Sequence, residues 1–184
     1  LTEEALARWK EVGDKRHVAW ALTWLAYMAG QQGEYARALA LCEESLVLYR
    51  ELESKIGIAD SLGRLTEVLY LSQSNPARVR SLLEEAQALS REVGDRMGIA
   101  HGQRFLAQLA LSQGDTTTAR SLTEEALALF REIGNREGMA LSLSLLARIE
   151  AGQGNEAAAR TLYEESLAMA SKGMDDKGAL ASCL

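Results

Sequence analysis

Five pairs of adjacent glutamates are the residues of this sequence whose type and spacing suggest chemistry. Two neighbouring carboxylates could serve as the acid and the base of a hydrolytic reaction. Adjacent residues of a helix point about 100° apart, however, so such a pair does not converge on one substrate. We therefore interpret the pairs as part of a solvated helix face. They are Glu3-Glu4, Glu43-Glu44, Glu84-Glu85, Glu124-Glu125 and Glu164-Glu165.

Three arginines favour this interpretation of the glutamates. Arg80, Arg120 and Arg160 each precede the first glutamate of a pair by four residues. Side chains four residues apart are neighbours on a helix surface, where an ion pair contributes roughly 0.2–0.5 kcal/mol. We expect these arginines to pair with Glu84, Glu124 and Glu164.

The histidines and cysteines form no pattern typical of a metal site. His17 and His101 have no ligand at the spacing that a helix would require. Cys42 and Cys183 share no recognisable motif, and we interpret them as small buried apolar residues in a reducing compartment. The glycine-rich segments link two helices, which is unlike a phosphate-binding loop. We expect no catalysis, no metal and no cofactor.

Composition and charge indicate an all-helical protein. Of the 184 residues, 47% are apolar and only 5% aromatic, and Pro76 is the single proline. No alternating run of β-branched residues predicts a strand. The net charge of -6 disfavours nucleic acid and anionic membranes as partners, since both require a basic face. No apolar run is long enough to span a membrane and no signal peptide is recognisable, so we expect a soluble cytoplasmic protein.

The glutamate pairs also mark an internal repeat. Glu3, Glu43, Glu84, Glu124 and Glu164 are separated by 40, 41, 40 and 40 residues. A period of this length corresponds to two helices and two turns. Because the sequence lacks an initial methionine and both its ends fall inside repeats, we expect a fragment of a longer solenoid. Its predicted parts are a second helix of a preceding repeat at 1–13, four repeats at 14–53, 54–94, 95–134 and 135–174, and the start of another at 175–184.

Each repeat is predicted to contain a first helix (helix A), a glycine-containing turn, a second helix (helix B) and a linker. In linkers such as Gly134-Asn135, the glycine ends one helix and the next side chain caps the following one. The extra residue of the second repeat is expected between Val68 and Ser74. The predicted helices are 1–12, 15–31, 35–52, 55–72, 76–93, 96–112, 116–133, 136–152, 156–171 and 175–184.

Four further glycines recur early in each helix A. A glycine inside a helix costs roughly 1 kcal/mol relative to alanine. Its presence at four equivalent positions predicts that the preceding helix B approaches closely there. These glycines are Gly57, Gly98, Gly138 and Gly178.

The spacing of small and apolar residues resembles the tetratricopeptide repeat. The pattern comprises Leu106-Ala107, Gln113-Gly114-Asp115, Ala119 and Ala126-Leu127, and similar sets occur along the whole chain. The long repeat is similar to the sensor arms of bacterial signal-transduction ATPases, including maltose-activator-like transcription regulators, and to animal spindle-orientation adaptors. The resemblance implies an all-α, right-handed superhelical solenoid in which helices A line the concave wall.

The resemblance also implies which residues face the concave groove. Aromatic residues and arginine often dominate interface energies, and the predicted wall runs from aromatic through acidic to basic. Packing of the tryptophans against neighbouring helices, and simple solvation of the arginines, remain open alternatives. Trp9 is expected to pack between the first helix and the first repeat. The predicted partner-binding residues are Trp20, Thr23, Trp24, Tyr27, Glu67, His101, Arg104, Gln108 and Arg148.

Three functions are compatible with the sequence. The first is a non-catalytic interaction domain, the sensor arm of a larger bacterial regulator, with a protein or peptide segment in the groove. The second is a pocket for a small effector around Trp20, Trp24 and Tyr27. The third is an assembly scaffold that self-associates through apolar terminal helices.

Overall fold

The structure is a computed structural model that describes the backbone of residues 2–72 and 76–181 and the side chains of 4–72 and 76–170. These residues form helices connected by short turns, without strands, as in an α-solenoid of antiparallel helix pairs. The helices are α1 Thr2–Val12, α2 Lys15–Gln31, α3 Tyr35–Glu51, α4 Lys55–Leu71, α5 Pro76–Val93, α6 Arg96–Ser112, α7 Thr116–Ile133, α8 Arg136–Gly152 and α9 Glu156–Ala181.

The helix starts follow from the capping residues. The carboxylate of Asp14 accepts a hydrogen bond from the His17 amide at 3.2 Å, and the Asn135 side chain accepts one from the Gly138 amide. Each cap satisfies an amide that has no partner within its helix. The preceding glycines end the helices, with Gly13 at a φ of 75° and Gly134 at 76°. The predicted stop-and-cap arrangement is confirmed.

The last helix differs from the prediction. Separate helices were expected at 156–171 and 175–184, but α9 continues through Glu156–Ala181, and 182–184 lie outside the described residues. Met174 occupies the position that Gly134 and Gly94 take in their repeats. A left-handed residue is needed to end the helix there, and methionine favours the helical conformation instead. The prediction of a break was therefore wrong.

The extra residue of the second repeat lies between α4 and α5. All four helices A, namely α2, α4, α6 and α8, contain 17 residues. Four residues separate Leu71 from Pro76, whereas three separate Gln31 from Tyr35. The helix thus keeps its length, and the insertion falls at 72–75, of which 73–75 lie outside the described residues.

The recurrent glycines lie where helix B approaches helix A. A Cβ built on Gly138 would lie 2.5 Å from both Cε1 and Cγ of Phe130, and one built on Gly57 would overlap the Tyr49 ring. A Cβ on Gly98 would approach Ser90 Oγ at 2.5 Å. The predicted close approach is confirmed at these three positions. Gly178 lies outside the described side chains.

The chain divides into two compact units. Unit 1 is Leu1–Gly98, in which α2 packs against α1, α3 and α4, and α4 packs against α3 and α5. Unit 2 is Ile99–Leu184, in which α8 packs between α7 and α9. Small residues allow the helices to approach closely. The core of unit 2 contains Ala110, Ala119, Leu127, Leu143, Leu146 and Ile149.

Candidate functional site

A shallow depression lies between two successive helices A in unit 1. It occupies about 240 Å³, including the space open to solvent at its mouth. Its floor is mostly apolar, and Val68 Cγ2 lies 3.6 Å from the Cβ position of Gly30. Because Gly30 has no side chain, the space above it stays open. We call this the α2–α4 depression; it is lined by Ala26, Tyr27, Gly30 and Gln31 of α2 and by Arg64, Glu67, Val68 and Leu71 of α4.

Arg64 connects the two walls of the depression. Its Cζ lies 4.8 Å from the centre of the Tyr27 ring, and its Nη1 donates to Glu67 Oε2 at 3.1 Å. A cation above an aromatic ring is attracted by the electrons of the ring face. The guanidinium thus contacts a ring on α2 and a carboxylate on α4.

Asp60 lies one turn before Arg64 on α4. Its side chain is exposed to water, and in the described part of the chain its carboxylate makes no ion pair or hydrogen bond. Although the residue is exposed, nearby protein atoms displace part of the water around its carboxylate. This desolvation raises the pKa of Asp60. Arg64 opposes this shift and Asp95 adds to it. Asp60 is therefore a carboxylate without a strong partner.

The predicted aromatic residues of α2 are accessible. Trp20 is 53% exposed and Trp24 47% exposed. The ring centroids of Trp24 and Tyr27 are 5.6 Å apart, and Tyr27 is half-buried. Trp9 contacts Trp20 edge-on at 6.2 Å, which confirms its predicted place between the first helix and the first repeat. We call Trp20, Trp24 and Tyr27 the aromatic surface; Tyr27 lines the α2–α4 depression, and Trp24 contacts Tyr27.

Thr23 is not part of this exposed surface. It is 6% exposed, and its hydroxyl lies 2.7 Å from Ser45 Oγ and donates to the Ala19 carbonyl at 3.0 Å. Ser45 in turn contacts Ser61 at 3.0 Å. The side chain predicted to face the groove is instead in a buried hydroxyl network, and no partner can reach it in this conformation.

Fewer of the predicted partner-binding residues in unit 2 are exposed to solvent. Arg104 is only 6% exposed, and its Cζ lies 4.3 Å from the Phe105 ring centre, so it is neither a solvated charge nor an accessible anchor. His101 is half-buried, with its ring 5.0 Å from that of Phe130. Gln108 is half-buried as well, whereas Arg148 is exposed.

The α4 side of the depression was mostly missed by the sequence interpretation. Glu67 was among the predicted site residues, whereas Arg64, Val68 and Leu71 were not. A usable signal existed in the repeat register, because residues 64, 68 and 71 of α4 correspond to 24, 28 and 31 of α2. Placing the two helices A side by side would have brought these positions to the same surface.

Several of the paired glutamates form ion pairs between helices. Glu44 accepts from Lys10 at 2.9 Å and Glu85 accepts from Arg50 at 3.1 Å, so the second glutamate of these two pairs bonds to the helix B of the preceding repeat. Glu125 instead accepts from Gln103 of α6 at 2.6 Å. Exposed pairs of this kind contribute little stability. Their positions do not converge on a site.

Two of the predicted arginine pairs can be compared with the structure. Arg160 donates to Glu164 at 3.0 Å, as expected. Arg120 instead pairs with Glu150 at 2.7 Å and donates to Gln153 at 3.0 Å, so its predicted pairing with Glu124 was wrong. The Arg120 side chain thus connects α7 to α8.

The described residues offer little for metal or thiol chemistry. Over the described parts of the chain, no group of three or more His, Cys, Asp or Glu residues is placed to hold a metal ion. Burial raises the pKa of the Cys42 thiol to about 12, which keeps it protonated and unreactive. None of the helices in these same parts has the length and apolar character needed to cross a bilayer.

Comparisons with known proteins agree with this architecture. Residues 97–172 and residues 18–55 match tetratricopeptide repeat families. The chain thus contains a tetratricopeptide repeat domain, as the sequence predicted. Such repeats are typically non-enzymatic and bind protein or peptide partners.

A solved structure shows the same fold. The crystal structure of BtubC (BKLC) from P. vanneervenii is similar with a TM-score of 0.71, and the match covers 93% of this chain and 71% of that chain. At 17% sequence identity, this likeness indicates the fold alone. No curated protein matches the sequence.

Proposed function

We propose that the α2–α4 depression and the aromatic surface beside it bind a segment of a partner protein. The observation that carries this proposal is the open apolar floor beside Tyr27 and Arg64, with the exposed Trp24 against Tyr27. Aromatic and apolar anchors beside an ordered polar rim are typical of protein interfaces. Catalysis forms no part of the proposal.

The size of the depression favours a peptide side chain over a small effector. Pockets for drug-sized ligands usually measure about 300–1,000 Å³ and enclose most of the ligand. The depression measures about 240 Å³ even with its solvent-open mouth. An aliphatic side chain would rest on this shallow apolar floor, while the rest of the segment lies across Trp24 and Tyr27. The small-effector alternative is therefore disfavoured.

The proposed role of this binding is that of a sensor arm in a larger bacterial regulator. The support is the resemblance of the 40-residue repeats to the arms of signal-transduction ATPases. A bound segment would contact α2 and α4 together, because Tyr27 and Arg64 belong to different repeats. Occupancy would thereby alter the packing of successive repeats, each of which contacts only its neighbours.

A second candidate function, self-association, rests on α9. Leu167 is 70% exposed and Tyr163 is 39% exposed. Leu127, at the position equivalent to Leu167, is only 5% exposed, and Thr123, at the position equivalent to Tyr163, is fully buried. An exposed stacking face of this kind can pair with another copy. Light scattering of the wild type and of Leu167→Arg tests this: a larger mass that only the wild type shows supports it, and equal monomer masses contradict it.

A peptide selection tests the groove proposal. A displayed random-peptide library would be selected on the wild-type chain, and the enriched peptides measured against Leu71→Arg and Val47→Arg. Both residues are exposed apolar side chains, at 44% and 55%, but only Leu71 lines the depression. The proposal expects Leu71→Arg to weaken binding at least about tenfold while Val47→Arg leaves it unchanged. Equal effects of the two substitutions would refute it.

A further inference from the structure

We propose that the segment bound in the α2–α4 depression is basic, and that it places a lysine or arginine against Asp60 and an aliphatic side chain in the depression. This inference rests on the proposed function and adds the chemical class of the partner. It follows from two separate features, the distribution of charge around the groove and the spacing of its parts.

The charge that remains uncompensated in this groove is negative. Arg64 is engaged by Glu67 at 3.1 Å and by the Tyr27 ring. Asp60 is exposed and has no comparable partner among the described residues, and Asp95 adds negative potential beside it. A basic segment would complement this surface, whereas an acidic one would be repelled. The net charge of -6 also attracts a basic segment as it approaches the protein.

Aromatic side chains strengthen the preference for a cation. Trp20 occupies on α2 the repeat position that Asp60 occupies on α4, and the two helices pack against each other. The axes of packed helices lie about 8–10 Å apart, so we expect one bound cation to contact both side chains. A lysine or arginine there gains a carboxylate on one side and a tryptophan face on the other.

The distance along α4 sets the spacing of the ligand residues. Asp60 and Val68 are eight positions apart, which corresponds to about 12 Å at 1.5 Å per helical residue. An extended peptide advances about 3.3 Å per residue. The basic and aliphatic residues should therefore be about three to four positions apart, and Lys-x-x-Leu or its reverse has the shorter of these spacings.

A symmetric probe tests this without assuming the direction of the segment. The peptide Lys-Ser-Ser-Leu-Ser-Ser-Lys would be titrated into the full chain at constant low ionic strength, and its Kd read from tryptophan fluorescence and amide chemical shifts. Two matched probes replace both lysines by glutamate or the leucine by alanine. The variants are Asp60→Asn and, as a control of equal charge change outside the groove, Glu11→Gln.

The expected result is that the lysine probe binds at least about tenfold more tightly than the glutamate probe. Asp60→Asn should remove this preference, and Glu11→Gln should retain it. The alanine probe should bind more weakly, because the depression then stays empty. A glutamate probe that binds equally well, or a preference that survives in Asp60→Asn, would overturn the inference.

The outcomes also separate this inference from the proposed function. Binding of the glutamate probe that Leu71→Arg abolishes would leave the groove as a binding site and reject its preference for basic segments. Failure of all three probes, together with failure of the library selection, would reject both.

Discussion

Replacing Gly138 by alanine should destabilise the protein even though alanine is the better helix former. Gly138 lies in the first turn of α8, directly under the Phe130 ring. The added methyl group would overlap three ring atoms, at 2.5 Å from two of them. Phe130 is fully buried and also packs edge-on against His101, so its ring has little room to move.

Two opposing effects determine the magnitude. The gain in helix propensity is about 1 kcal/mol. Overpacking of a well-packed site costs roughly 1–3 kcal/mol, and the severity of this overlap places it near the upper value. The net loss in the free energy of unfolding should be about 2 kcal/mol, since the overlap cost of about 3 kcal/mol exceeds the propensity gain.

Urea denaturation followed by circular dichroism measures this change. Gly63→Ala is the matched control, because Gly63 also lies within a helix A but a Cβ there would meet nothing within 4 Å. The control should gain up to about 1 kcal/mol. The loss in the double variant Gly138→Ala/Phe130→Leu should be smaller than the sum of the two single losses, because the smaller side chain relieves the overlap. If Gly138→Ala proves as stable as Gly63→Ala, the close-approach explanation of the recurrent glycines is wrong.

Three further predictions concern buried and paired groups. Ser45→Ala should cost about 1–2 kcal/mol because it removes a shared partner from the buried hydroxyls of Thr23 and Ser61; urea denaturation checks this, and a neutral effect would mean that the network contributes nothing. Hydrogen bonds from Arg120, and then from Asn155, lower the pKa of Glu150 below 4.5, so its contribution to stability is present above the unfolded pKa and is lost as pH falls through the folded pKa. Arg120→Gln should raise this pKa in an NMR titration, and an unchanged value would contradict the pairing. Cys42, in a Cys183→Ser background, should react with a thiol reagent only after unfolding, and rapid labelling of the native protein would show that the thiol is accessible.

The helices could be predicted from sequence because their ends carry local signals. Glycine at a positive φ and a capping Asp, Asn or Ser are properties of a few neighbouring residues, and Gly134-Asn135 shows both. The same reasoning failed at Met174, where glycine is displaced by one position and the helix continues. Local signals predict a break only when the glycine occupies the position that must become left-handed.

The candidate site was less predictable because it depends on contacts between helices. Repeat register placed Trp20, Trp24 and Tyr27 on helix A, and the structure shows that all three are at least partly accessible. It did not reveal that Thr23 pairs with a hydroxyl of α3. The burial of Arg104, which belongs to tertiary packing, was missed for the same reason.

The most direct test of the central claim is to map where a selected peptide binds. Amide chemical-shift changes in the full chain would be measured on titration with a peptide enriched by the library selection. The proposed groove predicts the largest changes around Tyr27, Arg64 and Leu71, with loss of these changes in Leu71→Arg. Changes confined to α3 and α5, with α2 and α4 unaffected, would contradict the claim that the α2–α4 depression is the binding site.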